Sequence, residues 1–100
     1  MLKYWSIKKY GTKLLPTLEK RYGKKIYYSA HQIRATIYQK DFNPQFLPLG
    51  YILFLAPSEI STVTASEFPD LDIAQYKKEI LDYLESKSYE GYLQVLQKAS

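Results

Sequence analysis

Apolar side chains recur along this chain at the 3.6-residue spacing of an α-helix, and glycines, prolines and capping residues end each stripe before it grows long. In the first segment Tyr4, Ile7, Leu14, Leu15, Leu18 and Tyr22 share one face with Gly11, while Lys9, Lys13 and Lys20 stand opposite. Pro16 removes a backbone donor and crowds the preceding turn, so the stripe predicts either one kinked helix or two, over residues 2–10 and 13–22. Gly23 suits a left-handed stop.

Ser29 followed by Gln32 has capping-box spacing, and Ala30, Ile33, Ile37 and Tyr38 extend a second helical stripe to Lys40. Asp41-Phe42-Asn43-Pro44 is a turn. The run from Phe46 to Leu55 is almost wholly apolar, which fits a buried central helix but also a buried strand at 51–55. Pro57-Ser58-Glu59 opens a fourth, weakly helical segment with Ile60, Val63 and Thr64 on one side. Asp72 and Gln75 repeat the capping spacing ahead of the clearest stripe, Ile73, Tyr76, Ile80, Tyr83, Leu84 and Lys87. Gly91 precedes a short last helix in which Tyr92, Leu93 and Leu96 are spaced to dock on the core.

One hundred residues suffice for one core, so residues 1–100 are read as a single domain. The expected fold is an all-α, compact bundle of about five short helices; the alternative is an α+β fold with short strands near 24–29 and 51–55. There is no cysteine, hence neither a disulfide framework nor a thiolate metal site. Lysines interrupt the first residues before a signal-peptide core or a membrane span can form, and a cytoplasmic location is expected.

Charge is divided unevenly. Residues 1–40 hold ten Lys/Arg against one acid, Glu19, a balance of +9; residues 41–100 hold four against nine, a balance of −5. Such polarity concerns partners rather than fold.

The motifs of catalysis find few residues to carry them. The glycines stand alone at 11, 23, 50 and 91, without a phosphate-cradling loop. His31 is the sole histidine and falls in a first helical turn, where a surface position is expected. Asp70 and Asp72 read as helix-capping acids before a metal pair, and Glu79, Asp82 and Glu85 as the solvated side of their helix. Neither a cofactor nor a small-molecule substrate is implied, and the chain is read as a non-enzyme.

The candidate binding surface is the basic, tyrosine-rich front: Trp5, Lys9, Lys13, Lys20, Arg21, Lys24, Lys25 and Tyr27. A helical wheel sets Trp5 nearer Lys9 and Thr12 than Ile7 and Leu14. Large aromatics are usually mostly buried, so Trp5 is expected to pack on another helix with lysine stems around it. The alternative is an exposed aromatic among cations, able to stack on a base or anchor in a membrane interface. The run from Lys20 to Tyr28 mixes four cations with three tyrosines, residues suited to a nucleic-acid backbone and its bases, but it matches no defined RNA-binding signature and reads first as a solvated loop. A helix-turn-helix over residues 30–55 would need its apolar second helix to face phosphates.

The succession Ile7-Lys8-Lys9-Tyr10, Leu15-Pro16, Tyr22-Gly23-Lys24, Tyr28-Ser29 and Gln32-Ile33 resembles the opening of small uncharacterised bacterial proteins classed as a domain of unknown function. The resemblance covers about the first half of the chain and implies a bacterial, helical, stand-alone domain without an activity or site residues to transfer. The expected function is that of a helical protein-interaction module, its partner another protein or a second copy of itself; low-specificity nucleic-acid binding by the basic front is the alternative.

Overall fold

The computed structural model describes residues 4–86. Its elements follow in the order α1 (Tyr4–Tyr22), α2 (Ala30–Gln39), a 3-10 turn at Pro44–Phe46, α3 (Leu47–Phe54), α4 (Pro57–Glu67) and α5 (Ile73–Ser86). Among the described residues there is no strand, and the all-α expectation stands. The two segments considered as strands do touch: the Tyr28 N–H donates to the Phe54 carbonyl at 2.8 Å. No ladder grows from that bond, because α3 stays helical through Phe54. Lys87 and the expected helix after Gly91 lie outside the described residues.

Neither Gly11 nor Pro16 divides α1, so the two-helix alternative over 2–10 and 13–22 is corrected to one helix. Pro16 is exposed, and so is Thr12, whose carbonyl loses its helical partner at the proline. The opposite side of α1 buries Ile7, Tyr10, Gly11, Leu14 and Leu18.

α2 begins with the full reciprocal cap: the Gln32 N–H donates to Ser29 Oγ, and the Ser29 N–H donates to Gln32 Oε1, both at 3.1 Å. It ends with Asp41 in the left-handed region at φ 63°, which turns the chain so that the Phe42 N–H donates to the Ile37 carbonyl at 3.1 Å. Phe42 then drops into the core beside Tyr10, edge to face at 5.6 Å.

α3 shows why the apolar run at 46–55 lacked a readable period. Leu47, Pro48, Leu49, Gly50, Tyr51, Ile52 and Phe54 are all buried, so there is no polar side to mark one. It threads between neighbours at Gly50, where a Cβ would lie 2.9 Å from Ile37 Cδ1, 3.2 Å from Ile33 Cγ2 and 3.5 Å from Leu14 Cδ2. Three helices thus meet at a position where a Cβ would press on its neighbours and Ile37 and Ile33 would have to give way. Each buried Ile, Leu or Phe contributes about 1.5–3 kcal/mol, and the cluster formed by α1, α2, α3, Ile80 and Leu84 is the main source of stability.

α4 forms in spite of weak intrinsic propensity, because tertiary contacts override it. Thr64 is buried with its hydroxyl donating to the Ile60 carbonyl at 2.7 Å, and Ile60 and Val63 lean on the core. α5 starts at the expected cap, with the Gln75 N–H donating to Asp72 Oδ1 at 3.1 Å.

Candidate functional site

At 100° per residue, Trp5, Lys9, Lys13, Pro16 and Lys20 fall within about 80° of arc on α1, away from its buried face. The turn after α2 runs beside this strip and makes it one wall of a trough. Near the N-terminal end, Trp5, Ser6 and Lys9 face Asp41, Phe42, Asn43 and Pro44 across a groove of about 340 Å³. Farther along, Lys13, Pro16, Thr17, Lys20 and Arg21 face Lys40 across a second groove of about 560 Å³.

The structure corrects the expectation for Trp5. It is not packed on another helix; it is 75% exposed. Its position off the apolar stripe was the true signal, and the general tendency of tryptophan to be buried was the misleading one. Tyr4 meets its ring edge to face at 5.4 Å, and Lys8 Nζ lies 5.2 Å from its centroid. Lys9 is held more firmly: Nζ donates to the Asp41 carbonyl at 2.7 Å and sits 4.8 Å over the Phe42 ring.

Arg21 closes the far end. Its guanidinium donates to Thr36 Oγ1 at 3.3 Å and to Gln39 Oε1, and it lies 5.3 Å from the Tyr22 ring centroid. Both acceptors are neutral, so they fix the group without cancelling its charge. The second groove therefore gathers four cations, and no carboxylate lines it. Asp41, beside the first groove, is the one acid of the trough.

The expected surface is thus split. Trp5, Lys9, Lys13, Lys20 and Arg21 belong to the trough, whereas Lys24, Lys25 and Tyr27 stand on the loop between α1 and α2 and line neither groove. Lys25 Nζ lies 5.9 Å from the Tyr28 ring, while Ile26 and Tyr27 project outward. Sequence reasoning missed Lys40, Thr36 and Gln39 as members of the site. Their distance from Arg21 along the chain hid them, and only the antiparallel return of α2 brings them across.

On the other side of α2 lies a second polar constellation that the sequence did not announce. Tyr51 Oη donates to Glu67 Oε1 at 2.6 Å, while Arg34 Nη1 donates to Glu67 Oε2 at 2.7 Å and to Tyr51 Oη at 3.1 Å. Burial, and then the bond to Glu67, pushes the Tyr51 hydroxyl up to about 12. Burial likewise raises Tyr10, whose hydroxyl donates to the Asn43 carbonyl at 2.6 Å, and Tyr76. All three hydroxyls keep their protons at neutral pH; those of Tyr51 and Tyr10 serve as fixed donors rather than proton carriers.

His31 is exposed on the first turn of α2, as expected. On α5, Glu79 accepts from Gln75 and Asp82 from Lys78, which fits a solvated outer face. Among the described residues no three His, Asp or Glu side chains gather as metal ligands. Nor is any helix of the described residues long and apolar enough to cross a membrane.

The model of a family described as "Family of unknown function (DUF6559)" matches residues 1–96, and the chain belongs to that family. The relationship spans nearly the whole chain, beyond the first half that carried the initial resemblance. Comparison with curated proteins and with solved structures finds no match.

Proposed function

We propose that the protein is a non-catalytic interaction module that holds an anionic partner along the basic side of α1. The observation that carries this reading is the convergence of Lys13, Lys20 and Arg21 of α1 and Lys40, just past the end of α2, onto one groove whose lining includes no carboxylate. Like charges so placed repel, and the repulsion is relieved when an anion enters.

Pairing of the basic α1 with the acidic α5 inside one molecule finds little support among the described residues. The ion pairs Arg34–Glu67 and Lys78–Asp82 use cations outside α1, and Arg21 takes neutral partners although the chain carries ten acidic residues. An acidic protein surface satisfies the reading. A second copy of the chain does too, through the exposed Asp70, Asp72, Glu79, Asp82 and Glu85.

The test is a titration of the intact chain with polyglutamate and with oligonucleotides at several salt concentrations, repeated on the Lys13→Glu/Lys20→Glu double variant. Both lysines are exposed, so the variant should fold normally. Binding of at least one polyanion at low salt, abolished in the variant, is the expected result. No binding of either at low salt would refute the proposal.

A further inference from the structure

We infer that the partner held in this trough is a single-stranded nucleic acid, its phosphates on the lysines and one base stacked on Trp5. The inference rests on the anionic-partner reading and adds the partner's chemical class. It begins from shape. Trp5 and Arg21 are sixteen residues apart on one continuous helix, about 24 Å at 1.5 Å per residue, with Lys9, Lys13 and Lys20 between them. A line of separated cations suits a ligand that repeats its charge at intervals, as a nucleic-acid backbone does.

The chemistry of the lining separates a nucleic acid from an acidic protein. Protein interfaces are centred on buried apolar or aromatic anchors, and lysine is depleted there. Here lysines supply four of the five cations, and Pro16 is the sole apolar residue lining the second groove. Compact ammonium groups on flexible stems can neutralise phosphates without demanding a fixed geometry. At the trough's end Trp5 adds an exposed indole, which accepts any base because every base has a π-face.

The wall formed by residues 40–44 separates a single strand from a duplex. A helix reads duplex DNA by entering the major groove, but α1 is flanked along its basic side by that turn and covered on its opposite side by the core. A flexible strand can follow the two open grooves around the turn, whereas a duplex would need α1 to stand clear of its neighbours to enter the major groove. The carboxylate of Asp41 stands near the Trp5 end and opposes the ligand there. Binding is accordingly expected to be sequence-tolerant and salt-sensitive.

The experiment uses the chain's one tryptophan, which is Trp5 itself. A single-stranded oligonucleotide should quench its fluorescence, with log K falling against log salt at a slope of about −3 to −4, as expected for roughly five neutralised phosphates. Trp5→Phe should preserve binding measured by anisotropy, and Trp5→Ala should weaken it about tenfold. Lys13→Glu/Lys20→Glu should abolish it, and Lys24→Glu, outside the trough, should reduce it no more than about twofold. Polyglutamate binding without oligonucleotide binding would overturn the inference and leave the anionic-partner reading standing. Absence of both would overturn both. Duplex binding as tight as single-strand binding, or an oligonucleotide affinity indifferent to Trp5→Ala and the double lysine variant, would overturn the inference alone.

Discussion

α2 carries an arginine interaction on each of two sides, and the two are used in opposite ways. Arg34 meets Glu67, shares it with Tyr51 and ties α2 to α3 and α4. Arg21 reaches α2 from α1, meets only the neutral Thr36 and Gln39, and keeps its charge for whatever enters the trough. The contrast shows that the same guanidinium closes a fold when paired with a carboxylate and displays a charge when paired with amide and hydroxyl oxygens.

The largest effect tests the closing side. Glu67→Ala leaves Arg34 and the Tyr51 hydroxyl without their shared acceptor and should cost about 2 kcal/mol in urea unfolding, less than for a fully buried pair because both charged side chains keep some water contact. A loss below about 0.5 kcal/mol, the scale of an ordinary surface substitution, would show that the constellation is ornamental to stability.

Tyr51→Phe removes one arm of the constellation and should cost about 1.5 kcal/mol at neutral pH. It also carries a pH signature. The Tyr51 hydroxyl rises from an ordinary value near 10 to about 12 on folding, so its protonated form is the one the fold favours. Its contribution is complete below about pH 10 and is lost as the pH climbs through about 12. The stability gap between wild type and Tyr51→Phe should therefore narrow over that interval, and a gap that stays constant would break the assignment.

Arg21→Ala probes the displaying side. Thr36 is buried and loses a donor, so a cost of about 1 kcal/mol is expected, together with a clear loss of oligonucleotide affinity. If Arg21→Ala destabilised the fold as much as Glu67→Ala while leaving binding intact, the two arginines would be alike and the contrast would fail. The smallest effect concerns the wall of the trough. Asp41 holds a left-handed backbone that glycine adopts more easily, and Asp41→Gly should raise stability by about 0.5–1 kcal/mol in the same unfolding assay.

Much of this fold was legible because a helix half in water writes its period into the sequence. The stripes of α1 and α5, and the caps at Ser29 and Asp72, stand where the residues placed them. α3 was harder, since a segment buried on all sides carries no polar contrast to read. The site was legible in its α1 half alone. Lys40, Thr36 and Gln39 join Arg21 only through the packing of α2 on α1, and Glu67 reaches Arg34 across 33 positions of chain. Trp5 failed for another reason: an average preference for burial outweighed the local fact that its place on the helix pointed outward.

The loop between α1 and α2 offers a practical opening. Tyr28 fastens it twice, through its N–H on the Phe54 carbonyl and its hydroxyl on the Gly23 carbonyl at 2.7 Å, while Lys24 to Tyr27 stand exposed between these anchors. A span pinned at both ends and free in the middle is a natural place to lengthen a chain, since the closure entropy grows only with the logarithm of loop length. A label or a small tag inserted between Lys25 and Ile26 should leave both the core and the trough untouched, giving this tightly filled domain a handle.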